Sequence, residues 1–121
     1  MRKKIISLKY LNKKEQDGIK KLTTQLTTNM KDNLVILELF GSKIRGDFEK
    51  DSDIDMLVVL KKEICQSREK IFDILFKIDP YYELKISPII YSEAEYKKNE
   101  KLESPFIENI MKEGIVLWSQ K

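Results

Sequence analysis

The sequence predicts an α/β (α+β) layered domain with about four strands and flanking helices. Three observations predict it: short apolar runs that stop at glycine, lysine or polar residues, longer stretches between them with apolar residues at helical spacing, and the absence of any repeat or low-complexity tract. At 121 residues the chain can bury one ordinary core but not two, so the expected organisation is a single domain over residues 1–121.

Each element has a local reason. Asn12 followed by Glu15 resembles a capping box, and Ile19, Leu22, Leu26 and Met30 then recur at helical spacing up to the polar Lys31-Asp32-Asn33 break. Leu34 to Phe40 is a short, partly β-branched apolar run ending at Gly41, which suits a buried strand followed by a turn and a short helix. Ile54 to Leu60 is a second such run, ended by Lys61 and Lys62. Between Glu63 and Ile78, Ile64, Ile71, Phe72, Leu75 and Ile78 fall mainly on one helical face, and Asp79-Pro80 closes the helix. Glu83 to Tyr91 reads as a third, irregular strand in which Pro88, having no amide to donate, favours an edge or a bulge. Ser92 to Asn99 suits a short helix, Ser104-Pro105 opens another carrying Phe106, Ile107, Ile110 and Met111 until Gly114 closes it, and Ile115 to Trp118 forms a last strand.

Composition narrows the class. The chain is 41% hydrophobic and 36% charged, a balance typical of packed globular proteins. No apolar run approaches the roughly 20 residues needed to span a bilayer, and Met1 to Ile6 has basic residues but no apolar leader core, so no membrane partner and a cytoplasmic setting are expected. Cys65 is the single cysteine and there is no histidine, which rules out an internal disulfide and argues against structural zinc; a bound metal would have oxygen ligands. The 23 basic and 20 acidic residues nearly cancel to +3, so nucleic acid is not an implied partner; the pairs Lys3-Lys4, Lys13-Lys14 and Lys97-Lys98 read better as solvated faces than as phosphate contacts.

The chemistry concentrates between Gly41 and Asp55. Gly41 leaves a strand and lets backbone approach a phosphate, and Ser42 adds a hydroxyl beside the amides of the following turn, although Gly-Ser after a strand is also an ordinary turn. Asp53 and Asp55 are one residue apart at the start of an apolar strand, so their carboxylates project from one face and can share a cation; an exposed strand end gives the same pair. Magnesium commonly takes one or two protein carboxylates and fills its other positions with water and substrate phosphates. Arg45 can contact phosphate or brace the loop through a carboxylate or carbonyl. Asp47, Glu49 and Asp51 suit a solvated connecting loop.

Taken together, Gly41-Ser42, ten intervening residues and Asp53-x-Asp55, with Arg45-Gly46 and Ser52 between and a strand on either side, resemble the signature of the minimal nucleotidyltransferases of the DNA polymerase β superfamily. That resemblance implies the nucleotidyltransferase fold, a mixed sheet flanked by helices. It also implies ATP or another nucleoside triphosphate held at Gly41, Ser42 and Arg45, and Mg2+ held by Asp53 and Asp55. Active members have a third carboxylate on the next strand, beside the first two. Alternation along Tyr82-Glu83-Leu84-Lys85-Ile86-Ser87-Pro88 groups Glu83, Lys85 and Ser87, and the expected acid aligns with Lys85 or Ser87, leaving Glu83 as the nearby candidate for a catalytic role.

Two functions of different class follow. One is transfer of AMP, or another nucleoside monophosphate, to a hydroxyl acceptor; with no extra domain to position a large nucleic acid, a protein acceptor is the better fit, and the resemblance suggests an antitoxin paired with a HEPN-type ribonuclease toxin. The other is a nucleotide-binding module without turnover that acts by binding its partner, through Phe106, Ile107 and Trp118 if these are exposed. A nucleic-acid-binding protein has only dispersed lysines behind it and ranks last.

Overall fold

The computed structural model describes residues 3–4, 8–49, 51–62 and 64–120. The reading of Met1 to Ile6, and the side chains of Lys3, Lys4, Glu63 and Ile64, lie outside what is described. Strand β1 is Lys3–Lys4; α1 is Lys13–Met30, β2 Leu34–Phe40, α2 Ser42–Arg45, β3 Ile54–Leu60, α3 Ile64–Ile78, β4 Ile86–Ser92, α4 Glu93–Lys101, α5 Pro105–Glu113 and β5 Ile115–Ser119. The sheet has the order β1-β5-β2-β3-β4, one strand more than expected, the addition being the two-residue β1. It is mixed: β2 runs antiparallel to β3 and β5, whereas β3 with β4 and β1 with β5 are parallel. The parallel β3–β4 pair needs a crossover, which α3 supplies.

Helix α1 begins where its capping residues place it. Asn12 Oδ1 accepts the Glu15 amide at 2.8 Å and Glu15 Oε1 accepts the Asn12 amide at 2.9 Å, so two amides with no intrahelical partner are satisfied reciprocally. Its buried Ile19, Leu22, Leu26 and Met30 pack with Leu37, Leu39, Met56, Val58 and Ile71 on one face of the sheet. On the other face Phe40, Leu57 and Val59 meet Tyr96 of α4 and Ile107 and Ile110 of α5. A sheet buried on both faces explains why β2 and β3 are nearly continuous apolar runs.

The third strand starts at Ile86, three residues later than expected from Glu83. Both Asp79 carboxylate oxygens accept backbone amides, Oδ1 from Glu83 at 2.9 Å and Oδ2 from Leu84 at 3.0 Å, while Tyr82 and Lys85 take positive φ of 54° and 55°. This side-chain-held turn competes with strand pairing and breaks the alternation that would align Glu83, Lys85 and Ser87. Pro88 is accommodated because β4 is an edge strand.

Gly114 ends α5 in extended rather than left-handed backbone, φ −66° and ψ 150°. A Cβ at this position would collide with Glu38 Oε2 and the Ile110 carbonyl, so glycine is needed for close approach to the fully buried Glu38 of β2. Ile107 is buried, and Phe106 and Trp118 are half-buried, with Phe106 edge-on to Phe40 at 5.4 Å and to Tyr91 at 6.1 Å; these three form core rather than an exposed patch. Among the described residues, no helix is long and apolar enough to cross a membrane.

Leu26→Ala, which empties a fully buried position between α1 and the sheet, is expected to lower unfolding free energy by about 2–5 kcal/mol in a urea titration. Phe76→Ala, on an α3 position that is 66% exposed, should shift it by no more than about 0.5 kcal/mol.

Candidate active site

The β2–β3 register places Phe40 opposite Asp55, so the last residue of one strand and the second of the other share a face. The chain then leaves β2 through Gly41 at φ 91°, a left-handed conformation that side chains rarely adopt. A Cβ on Gly41 would collide with Asp55 Oδ2; the Asp55 carboxylate lies against bare backbone. Gly41 also starts α2, its carbonyl accepting the amides of Ile44 and Arg45, both at 3.0 Å. Ser42, half-buried, opens that helix, where the first amides have no acceptor one turn back. The loop from α2 to β3 is closed by Ser52, whose Oγ accepts the Glu49 amide at 2.9 Å and whose amide donates to the Glu49 carbonyl at 3.1 Å.

Asp53 is exposed and Asp55 half-buried. Burial pushes the Asp55 carboxyl above its ordinary range, the Asp53 charge pushes it further, and Arg45 partly offsets both. Two neighbouring carboxylates, one of them packed against a glycine, suit a divalent cation, which would relieve their repulsion. Among the described residues no group of three or more aspartate, glutamate, cysteine or histidine side chains is gathered to hold a metal. Coordination by protein would therefore come from this pair, and water or phosphate would supply the rest.

The structure brings together Gly41, Ser42, Asp53 and Asp55, has Arg45 near enough for its charge to act on Asp55, and sets Glu83 in the turn before β4. Arg45 donates through Nε to Asp47 at 3.1 Å and through Nη1 to Glu113 of α5 at 2.8 Å, so its fork braces α2 against α5. These partners, Asp47 first, hold the guanidinium pKa above its already high value. Glu83 is exposed in the turn before β4 and borders a groove of about 250 Å³ with Lys14, Asp17 and Asp79. Ser87 instead pairs with Asp55 across β3–β4 and shares its face. Lys85, whose carbonyl accepts the Ile54 amide at 2.8 Å, sends its ammonium outward to Asp51 at 3.1 Å.

Two neighbours were not evident from the sequence. The Tyr82 hydroxyl donates to Asp53 Oδ1 at 3.3 Å; burial first, then the Asp53 charge, raises the phenol pKa. Tyr82 sits there with a positive φ, and a tyrosine gives no sequence signal for that conformation. Lys43, inside the signature, is buried, with Nζ 3.0 Å from Glu15 Oε2 and 4.4 Å from the centre of the Phe48 ring. The lysines expected to be solvated at 13, 14, 97 and 98 are exposed.

A strand–glycine–short helix–Asp-x-Asp strand within a mixed sheet defines a nucleotidyltransferase domain. The chain belongs to the polymerase beta nucleotidyltransferase family, which it matches over residues 20–121. Two relatives from Methanocaldococcus jannaschii carry the provisional name protein adenylyltransferase: MJ0141 is 32% identical over 98 residues, spanning 80% of this chain and 92% of its own, and MJ0604 is 31% identical over 104 residues, spanning 86% and 98%. A solved structure provisionally described as a nucleotidyltransferase, from Sulfolobus solfataricus, aligns over 90% of both chains with 22% identity and a TM-score of 0.45.

The raised Asp55 pKa has a consequence for stability. In acid below the ordinary carboxylate range Asp55 is protonated in both folded and unfolded chains and has no effect. As pH rises from that range through the raised value the unfolded chain ionises more readily, so stability falls. In chelator-treated buffer, Asp55→Asn is therefore expected to melt above the native protein at neutral pH and to converge with it in acid. Melting curves across a pH series check this, and coincident curves throughout would remove the electrostatic penalty assigned to Asp55.

Proposed function

We propose that the protein is a magnesium-dependent nucleotidyltransferase that moves AMP, or another nucleoside monophosphate, from a nucleoside triphosphate to a hydroxyl of a partner protein. The observation that carries this reading is the Asp55 carboxylate packed on Gly41 with Asp53 beside it. In the proposed site Asp53 and Asp55 hold Mg2+, and Gly41 and Ser42 receive the triphosphate. Magnesium, when bound, neutralises charge on the triphosphate and on the departing pyrophosphate. Gly41 gives phosphate access to backbone, and Ser42 offers it a hydroxyl and an amide. The acceptor oxygen attacks the α-phosphorus as the bond to the β-phosphate breaks. Arg45 acts here as the brace that fixes α2, through Nε to Asp47 and Nη1 to Glu113, and its charge acts on Asp55. Glu83, set in the turn before β4 and not on the strand beside Asp55, is not counted among these residues.

A protein acceptor is supported by the names of the two archaeal relatives. A HEPN-type ribonuclease toxin, with this chain as its antitoxin, is the finer form of that proposal and rests on the likeness to small stand-alone nucleotidyltransferases. The second reading, a nucleotide-binding module without turnover, draws on Ser87: the residue paired with Asp55 on the neighbouring strand is not an acid. With only two carboxylates, binding of one cation and its nucleotide remains feasible while proton removal from an acceptor loses its base.

Calorimetry with magnesium and ATP should show binding that Asp53→Asn with Asp55→Asn weakens at least about tenfold, or about 1.4 kcal/mol. With α-labelled ATP and the product of a neighbouring gene, transfer should occur only with the native carboxylates. Transfer that survives the double change would remove the site; binding without transfer to any partner would favour the module.

A further inference from the structure

The structure assigns a hydroxyl of its own to the mouth of the proposed site: Tyr82 is an internal acceptor, and the chain nucleotidylates itself there. This inference rests on the nucleotide and metal reading of Asp53 and Asp55. The Tyr82 hydroxyl is 3.3 Å from Asp53 Oδ1 and close enough to Asp55 for that charge to act on it as well. The attacking atom in nucleotidyl transfer must lie beside the carboxylates that organise the triphosphate, because orientation supplies much of the catalysis. The Tyr82 oxygen is the acceptor-type hydroxyl hydrogen-bonded to that pair among the described residues.

Its placement is built into the turn. Tyr82 has φ 54°, a conformation that is strained for an aromatic residue, and its amide donates to the Asp79 carbonyl at 3.2 Å. Asp79 at the same time accepts the next two amides, so the turn that delays β4 also aims the phenol. The ring is 51% exposed and does not belong to either buried cluster, so packing alone does not account for the position. Tyr81, beside it, is 84% exposed and makes no such contact among the described residues, and serves as an internal control.

The step balances without a further reactant. The Tyr82 oxygen forms a bond to the α-phosphorus of a nucleoside triphosphate, the bond from that phosphorus to the oxygen bridging the β-phosphorus breaks, and pyrophosphate leaves. The phenolic proton goes to water. The product is a phosphodiester between the tyrosine and the nucleoside 5′ oxygen.

The test uses the full chain with magnesium and each of the four nucleoside triphosphates, labelled at the α- or the γ-phosphate. Label from the α-position alone should become covalent, at a rate per molecule that does not change on dilution, and peptide mass spectrometry should locate it on Tyr82. Tyr82→Phe should lose the label and Tyr81→Phe should keep it. A readout without turnover uses the α,β-methylene analogue of the same nucleotide, which cannot release pyrophosphate: its binding should shift the ring resonances of Tyr82 and spare those of Tyr81. If the analogue binds and shifts Tyr82 but no triphosphate gives a covalent product, self-modification is overturned and the nucleotide site stands. If no analogue binds with magnesium, the site reading itself fails. Label on another residue, or label kept by Tyr82→Phe, also overturns the assignment.

Discussion

The antiparallel pairing of Leu34–Phe40 with Ile54–Leu60 is the constraint on which the site depends. It sets Phe40 against Asp55, and so brings the glycine that follows one strand onto the carboxylate that begins the other. A slip of one residue would turn Asp55 towards the face of Leu37, Met56 and Val58, where a carboxylate has no place. The apolar side chains on both faces of these strands therefore hold the register together with the backbone hydrogen bonds. Site geometry is in this sense a by-product of core packing, with the charged pair put at the one end of the sheet where packing runs out.

Much of this arrangement was legible in the residues. The capping pair Asn12 and Glu15, the two apolar runs, the glycine between them and the Asp-x-Asp spacing are local signals, and local signals survive into the fold because nothing distant opposes them. The start of the third strand was not legible. It depends on Asp79 reaching forward to two amides and on two non-glycine residues at positive φ, neither of which leaves a mark on periodicity. The alternation that points to Glu83 is abolished by this turn, and the same turn carries Tyr82 to Asp53. Lys43 reads as a surface lysine in any window; only the approach of Glu15 from another helix explains its burial.

The neighbouring strand carries the departure of most consequence. Ser87 pairs with Asp55, and Lys85 turns its ammonium away to Asp51. Protein charge at the site is thus two negative groups with Arg45 nearby, and Arg45 is already shared by Asp47 and Glu113. In the proposed reading such a site favours a cation and its triphosphate without being equipped to activate every acceptor. An acceptor that arrives already placed against Asp53 makes the lower demand, and this relates the phenol of Tyr82 to the missing acid.

The ion pair of Lys43 with Glu15 bears on where this domain physically begins. The family match starts at residue 20, after Leu8, Leu11, Glu15 and Ile19, all but Glu15 buried in the core. A chain cut at that boundary would retain every residue of the signature, yet it would lose Leu8, Leu11 and Ile19 from the core and the counter-charge of the lysine beside Ser42. The first turn of the helix that packs behind the sheet is thus part of the foundation of the loop between Gly41 and Asp55, and the edge of sequence similarity is not the edge of the folded unit.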